Sequence, residues 1–335
     1  MKELFQKFAE KFLRKSRKLT DIFFVAIILS IIVTYAGALI GYGITSYPLI
    51  KDLFTSLVYS ESMLQFLSDY AMFIGIWVVV LFTVSLFKGN HPMFKAISYN
   101  KKGNNIKGFL VGTILGYATN GFAILMSVLM GDIKLSFYGF DFVVLLAFAI
   151  SVFIQSGAEE LVDRFYLYQK LRRRYKFPWI AILLNSLVFA YLHVGNPGFT
   201  LIAGAQIFFV GLIFSLMVYY YNNLWGAMAF HAAWNFSQSI VYGLPNSGIV
   251  SEYSIFTLEA ASARNGFFYN VNFGVEGSIG AVLILRVLAV AIIWMNRGKS
   301  ECNDVWAEVE NAPRTSAGTT IRRLSDDTEK NQNNQ

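Results

Sequence analysis

Three apolar stretches of this sequence carry acids, bases and histidines in a pattern that could hydrolyse an amide bond. An ionised side chain at the centre of a bilayer costs at least about 2.5 to 3.5 kcal/mol, so such residues are functional candidates by default. The first set is Gly157-Ala158-Glu159-Glu160-Leu161-Val162-Asp163-Arg164. On a helix, Glu160 and Arg164 share one face and can pair, while Glu159 projects roughly a quarter turn away and is left to act as a base. The bland alternative is an ion pair that only holds a helix end. The second set is Phe189-Ala190-Tyr191-Leu192-His193 and the third is His231-Ala232-Ala233-Trp234-Asn235. His231 and Asn235 again share a helix face and can aim two neutral hydrogen-bond donors at one developing oxyanion. A lone histidine in an apolar helix is more often hydrogen-bonded structure, but two of the chain's 3 histidines in one bundle shift the balance toward chemistry. His91, before Pro92 in a basic loop, stays outside the site. Arg286, near the middle of the last apolar stretch, has no acid one turn away and reads as a structural arginine that snorkels or pairs with another element.

The elements that must position these residues are membrane helices. The chain of 335 residues is 55% hydrophobic and 16% aromatic, with a mean hydropathy of +0.48, and needs lipid as its solvent. Apolar stretches lie at 22–44, 67–87, 108–130, 142–164, 178–194, 201–221, 224–243 and 277–295. At roughly 20 residues per crossing they predict an all-α polytopic protein of about eight transmembrane helices. The net charge of +7 is concentrated in a few segments. Lys88, Lys95, Lys101, Lys102 and Lys107 follow the second stretch, and Lys170, Arg172, Arg173, Arg174 and Lys176 follow the fourth. The positive-inside rule puts both loops and both termini in the cytoplasm. The same distribution points to the lipid bilayer as partner and away from nucleic acid. Cys302 is the single cysteine, which excludes a disulfide framework or a cysteine metal site within one chain.

Residues 1–21 read as a basic amphipathic segment on the membrane surface, with Leu4, Phe5, Phe8, Phe12 and Leu13 at helical spacing. Residues 22–297 form the membrane domain, and 298–335 read as a disordered polar tail. Ala36-Gly37-Ala38 has the composition of a leader cleavage site, but the apolar run before it is long for a leader. The outer loop 244–276, with Gly248, Gly266 and Gly274, gives no firm secondary structure.

Together, Glu159-Glu160-x-x-x-Arg164, Phe189-x-x-x-His193 and His231-x-x-x-Asn235 resemble the three motifs of the CAAX protease and bacteriocin-processing family, over about 145–245. The resemblance implies an intramembrane endopeptidase. Glu159 would activate water with help from His193, Glu160 and Arg164 would support it, and His231 and Asn235 would stabilise the oxyanion. Its substrate would be a protein or peptide with a lipid-anchored, CAAX-type or otherwise hydrophobic segment, prenylated or not. No cofactor is required on this reading; Glu159, His193 and His231 are the set that could hold a divalent metal such as zinc. The rivals are a non-catalytic immunity or scaffold protein of the same fold and, third, a transporter built on the same buried polar groups. The protein would be multi-pass, in the plasma membrane if bacterial, with the site facing the cytoplasm. Helix arithmetic at about 1.5 Å per residue puts Glu159, His231 and Asn235 roughly 8 to 16 Å from the cytoplasmic ends but His193 about 22 Å away. That gap closes if the fourth helix continues past Arg164 through Leu167 and Leu171.

Overall fold

A computed structural model describes residues 10–15, 17–299 and 303–311. Helices occur at all the expected places. Five are long and apolar enough to cross a membrane: Phe23–Thr45 (α1), Glu61–Leu86 (α3 and α4, broken after Ala71), Ile106–Leu129 (α5), Phe142–Arg174 and Leu201–Tyr221 (α9). Pro178–Leu192 (α8) and Ile279–Met295 (α11) are shorter apolar helices, and Leu224–Phe236 (α10) runs on into a π-helical turn at Ser237–Val241. These spans make the chain an integral membrane protein. Pro48–Leu57 (α2) is a further short helix, which apolarity alone does not single out.

Polar residues at the loop ends start the helices. Ser60, Asn105, Asp141, Thr200, Asn223 and Ser278 each accept a hydrogen bond from a backbone N–H of the first turn. Pro48 and Pro178 open α2 and α8, where their missing N–H has no partner to lose. Packing is close where glycines meet, since association in lipid depends on van der Waals contact between backbones. A Cβ at Gly41 of α1 would lie 1.6 Å from the Met72 carbonyl oxygen, and one at Gly75 of α4 would lie 2.3 Å from the Gly41 nitrogen. Gly37, in the small-residue trio considered above, packs in the same seam.

The fourth apolar stretch is one long element. Phe142–Glu160 (α6) passes through a π-helical segment, Leu161–Leu167, into Tyr168–Arg174 (α7). This is the extension that the depth arithmetic required. Its last turns are covered by both ends of the chain. Residues 13–15 and 17–21 dock on this element: Leu13 bridges Tyr175, and the buried Asp21 accepts hydrogen bonds from Arg173 and pairs with Lys170 at 3.6 Å. Residues 1–9 lie outside the described residues. The tail, expected to be disordered throughout, contains a helix at Val305–Asn311 (α12). Trp306, 2% exposed, donates to the Gln169 carbonyl at 2.8 Å and lies against Arg173, while Asp304 pairs with Arg14 and Arg172. One aromatic anchor and a carboxylate facing two arginines hold a segment too polar to form a core. Residues 312–335 lie outside the described residues.

These contacts make one face of the bundle basic. The other face carries 46–60, 130–141, 193–200 and 242–278, where the all-α expectation is relaxed by a short antiparallel pair, Leu135–Phe137 (β1) with Phe256–Leu258 (β2). There Tyr59 donates to Asp141, which also caps α6, so its carboxyl is held below the usual range first by the tyrosine hydroxyl and then by the Val144 N–H.

Candidate active site

The six expected site residues come from three elements that converge in mid-bundle. Glu159 and Glu160 end α6, and Arg164 lies in the π-helical segment that follows. Interruptions of this kind often mark functional sites. Glu160 and Arg164 are both fully buried, with Arg164 Nη1 donating to Glu160 Oε1 at 3.0 Å. Arg164 Nη2 also donates to the Gly211 carbonyl at 3.1 Å. Its guanidinium carbon lies 4.3 Å from the Phe189 ring centre and 5.3 Å from that of Phe214. These contacts compensate the charge in a place without water. Gly211 has no room for a side chain: a Cβ there would lie 2.9 Å from Arg164 Nη2 and 3.1 Å from Phe189 Cδ1.

Glu160 in turn orients His231. His231 Nδ1 lies 3.0 Å from Glu160 Oε1, and its ring stacks on Phe214 at 5.4 Å and 27°. With a carboxylate as partner, Nδ1 carries a hydrogen, and Nε2 points at the Glu159 carboxylate, 3.7 Å away. Glu159 is less buried, its side chain 24% exposed, and its other oxygen accepts from Gln155 Nε2 at 2.6 Å. Gln155 and Glu159 lie one helical turn apart, a spacing already visible in the sequence.

Asn235 shares the His231 face but is already engaged. Its Nδ2 donates to Ser156 Oγ at 3.1 Å and, more weakly, to Gln155 at 3.4 Å, while its Oδ1 accepts from Asn246 at 3.1 Å. Asn246 comes from the outer loop, which turns inward here. The next residue, Ser247, binds Glu276 through its N–H and hydroxyl, and Glu276 also accepts from Trp234 at 3.0 Å. Asn246, Ser247 and Glu276 had no signal in the sequence, because the loop shows no periodicity and its partners are distant.

His193 caps the end of α8, with Nδ1 donating to the Phe189 carbonyl at 2.8 Å. It does not join the Glu159–His231 pair directly. The Phe189 ring stands between the histidines, 4.9 Å from His193 and 6.0 Å from His231. Glu159, His193, His231 and Asn235 nevertheless line one cavity of about 710 Å³. Arg286 is exposed on α11, away from that cavity. Among the described residues, no group of three or more His, Cys, Asp or Glu is placed to hold a metal ion, so Glu159, His193 and His231 do not fit as a ligand set.

Residues 141–237 match the family model described as type II CAAX prenyl endopeptidase Rce1-like. That stretch is similar to an Rce1-like domain. It contains all six site residues and ends before Asn246, Ser247 and Glu276. No curated protein and no solved structure matches the chain. The Rce1-like match supports an intramembrane protease and lends nothing to the scaffold or transporter readings.

Proposed function

We propose that the protein is an intramembrane endopeptidase in which Glu159 activates water against a peptide bond, the substrate being a CAAX-type or otherwise hydrophobic membrane polypeptide. The observation that carries this reading is the Glu159 carboxylate facing His231 Nε2 at 3.7 Å, with His231 Nδ1 bound to a buried Glu160–Arg164 pair. A base and a potential donor thus converge on one point of an internal cavity.

In the proposed sequence, Glu159 takes a proton from water as the oxygen adds to the carbonyl carbon. The negative charge that develops on the carbonyl oxygen is met by His231 and Asn235. A neutral His231 with hydrogen on Nδ1 offers only a lone pair at Nε2, so it serves the oxyanion as an imidazolium, compensated by Glu160. Asn235 contributes by exchanging its long bond to Gln155 for one to the oxyanion. Glu159 then passes its proton to the leaving nitrogen as the C–N bond breaks, giving a carboxylic acid and an amine and restoring the ionised Glu159. His193, with Nδ1 held by a carbonyl, presents Nε2 as an acceptor that orients water or a substrate N–H. No step uses a metal, and cleavage of a hydrophobic peptide library by purified protein, with and without chelator, tests this. Cleavage that is lost in Glu159→Gln and insensitive to chelator supports the reading; cleavage abolished by chelator overturns it.

A further inference from the structure

We infer that a second, apolar groove binds an anionic phospholipid, with an acyl chain along its aromatic wall and the phosphate headgroup held by Lys101, Lys102 and Lys107. The groove and the cavity that contains Glu159 share no lining residue, so lipid binding does not depend on the proposed chemistry.

Four helices build the groove. Trp77 comes from α4, Ile106 and Phe109 from α5, Phe153 from α6, and Trp225 and Met228 from α10. Its volume is about 520 Å³. Met228, 2% exposed, forms the floor, and Ile106, 74% exposed, stands at the rim. The Phe153 ring centre lies 5.8 Å from that of Phe109 and 6.5 Å from that of Trp77, so three rings make one wall. Both indoles are already committed. Trp77 Nε1 donates to the Ile154 carbonyl at 2.9 Å, and Trp225 Nε1 donates to the Ile97 carbonyl at 2.8 Å. The lining side chains therefore present carbon, one thioether and no free donor, which suits a hydrocarbon chain and not a polar ligand. Trp77 lies nine residues before Leu86, the basic-side end of α4, while Ile106 and Trp225 stand at the basic-side starts of α5 and α10. At about 1.5 Å per residue, the groove runs from the basic loop to about 14 Å inside the span.

Charge at the mouth selects the headgroup. The loop between α4 and α5 adds Ile97 to the lining, and its Asn104 side-chain oxygen accepts from the Trp225 N–H at 3.0 Å, which fastens the loop over the groove. That loop and the first turn of α5 carry Lys101, Lys102 and Lys107, all exposed. No acidic residue occurs from Lys88 to Gly131, and none of these three lysines enters an ion pair among the described residues. Uncompensated ammonium groups next to an apolar groove at the bilayer edge match a phosphate followed by acyl chains. A zwitterionic headgroup brings its own cation and gains less. Each lysine at such a surface favours the anionic lipid by about fivefold.

The groove also backs onto the helix that carries Glu159. Phe153 lies on the side of α6 turned away from Gln155 and Glu159, and a Cβ at Gly157 would lie 2.5 Å from Trp77 Cζ2. An acyl chain in the groove packs against Trp77, which itself rests on α6 two residues before Glu159.

The test uses the purified full-length chain in phosphatidylcholine vesicles with a trace of one of two probes, phosphatidylglycerol or phosphatidylcholine, each with the same photoactivatable group in its acyl chain. After irradiation, mass spectrometry locates the adducts. Adducts concentrated on the groove-lining residues, in much higher yield from the phosphatidylglycerol probe, are expected. K101Q, K102Q and K107Q, each shown folded by gel filtration and an unchanged thermal midpoint, should lower that preference about fivefold apiece. Adducts spread evenly over lipid-facing positions such as Phe82, Ile114 and Val287 would mean an unselective lipid annulus and overturn the inference. Equal yields from the two probes, or a preference that survives all three replacements, would overturn it as well.

Discussion

Replacing Arg164 by alanine removes the guanidinium at the centre of the site. Glu160 Oε1 then keeps one of its two partners, His231 Nδ1 at 3.0 Å, and Oε2 already has none among the described residues. Both members of the pair are fully buried, so solvent cannot compensate the stranded carboxylate. Breaking such a pair costs about 3 to 5 kcal/mol. With an unfolding entropy of about 2.1 cal/mol/K per residue, a chain of 335 residues carries about 0.7 kcal/mol/K, and the midpoint falls by about 4 to 7 °C. Thermal unfolding in detergent, followed by tryptophan fluorescence, measures it. The double variant Glu160→Gln with Arg164→Met removes both charges and is expected to regain most of the loss. An unchanged midpoint in R164A, or a double variant as unstable as the single one, would refute the argument that the charge, rather than lost packing, sets the cost.

Other outcomes follow from the same geometry. His231→Ala or Asn235→Ala should lower kcat by roughly two to three orders of magnitude if both serve the oxyanion, whereas a change confined to KM would contradict that role. Gln155→Ala frees Glu159 Oε1 and loosens Asn235, so kcat should fall while the thermal midpoint holds; equal kcat would make Gln155 incidental. Gly211→Val forces the Arg164 guanidinium off its carbonyl and should reduce both yield and activity, which expression and cleavage assays report together. Asp141 titrates below its unfolded value because of Tyr59, so that clamp stabilises the fold above about pH 4 and is lost as the pH falls through the folded pKa. Tyr59→Phe should therefore flatten the stability profile as the pH falls below about 4, and a profile identical to wild type would contradict it.

The site was legible in the sequence because charge is so costly in lipid. Glu159, Glu160, Arg164, His193, His231 and Asn235 stood out against an apolar background, and turn-to-turn spacing paired Glu160 with Arg164 as the structure does. Helix positions followed from apolar length for the same reason. What spacing could not show was which atoms were already committed. Asn235 looked like a free donor until Ser156 and Asn246 were placed beside it, and His231 looked neutral until its Nδ1 met Glu160. The inward turn of the outer loop and the docking of Trp306 depend on single long-range contacts that leave no period in the sequence.

The central claim is that Glu159 is the base. Purified wild-type protein and Glu159→Gln, both shown to be folded by gel filtration and thermal midpoint, are incubated with a library of hydrophobic and lipidated peptides, and the products are read by mass spectrometry. The account predicts cleavage by wild type and none by the variant, with similar midpoints because Glu159 is partly exposed and glutamine keeps its shape. Cleavage by Glu159→Gln at the wild-type rate would contradict it.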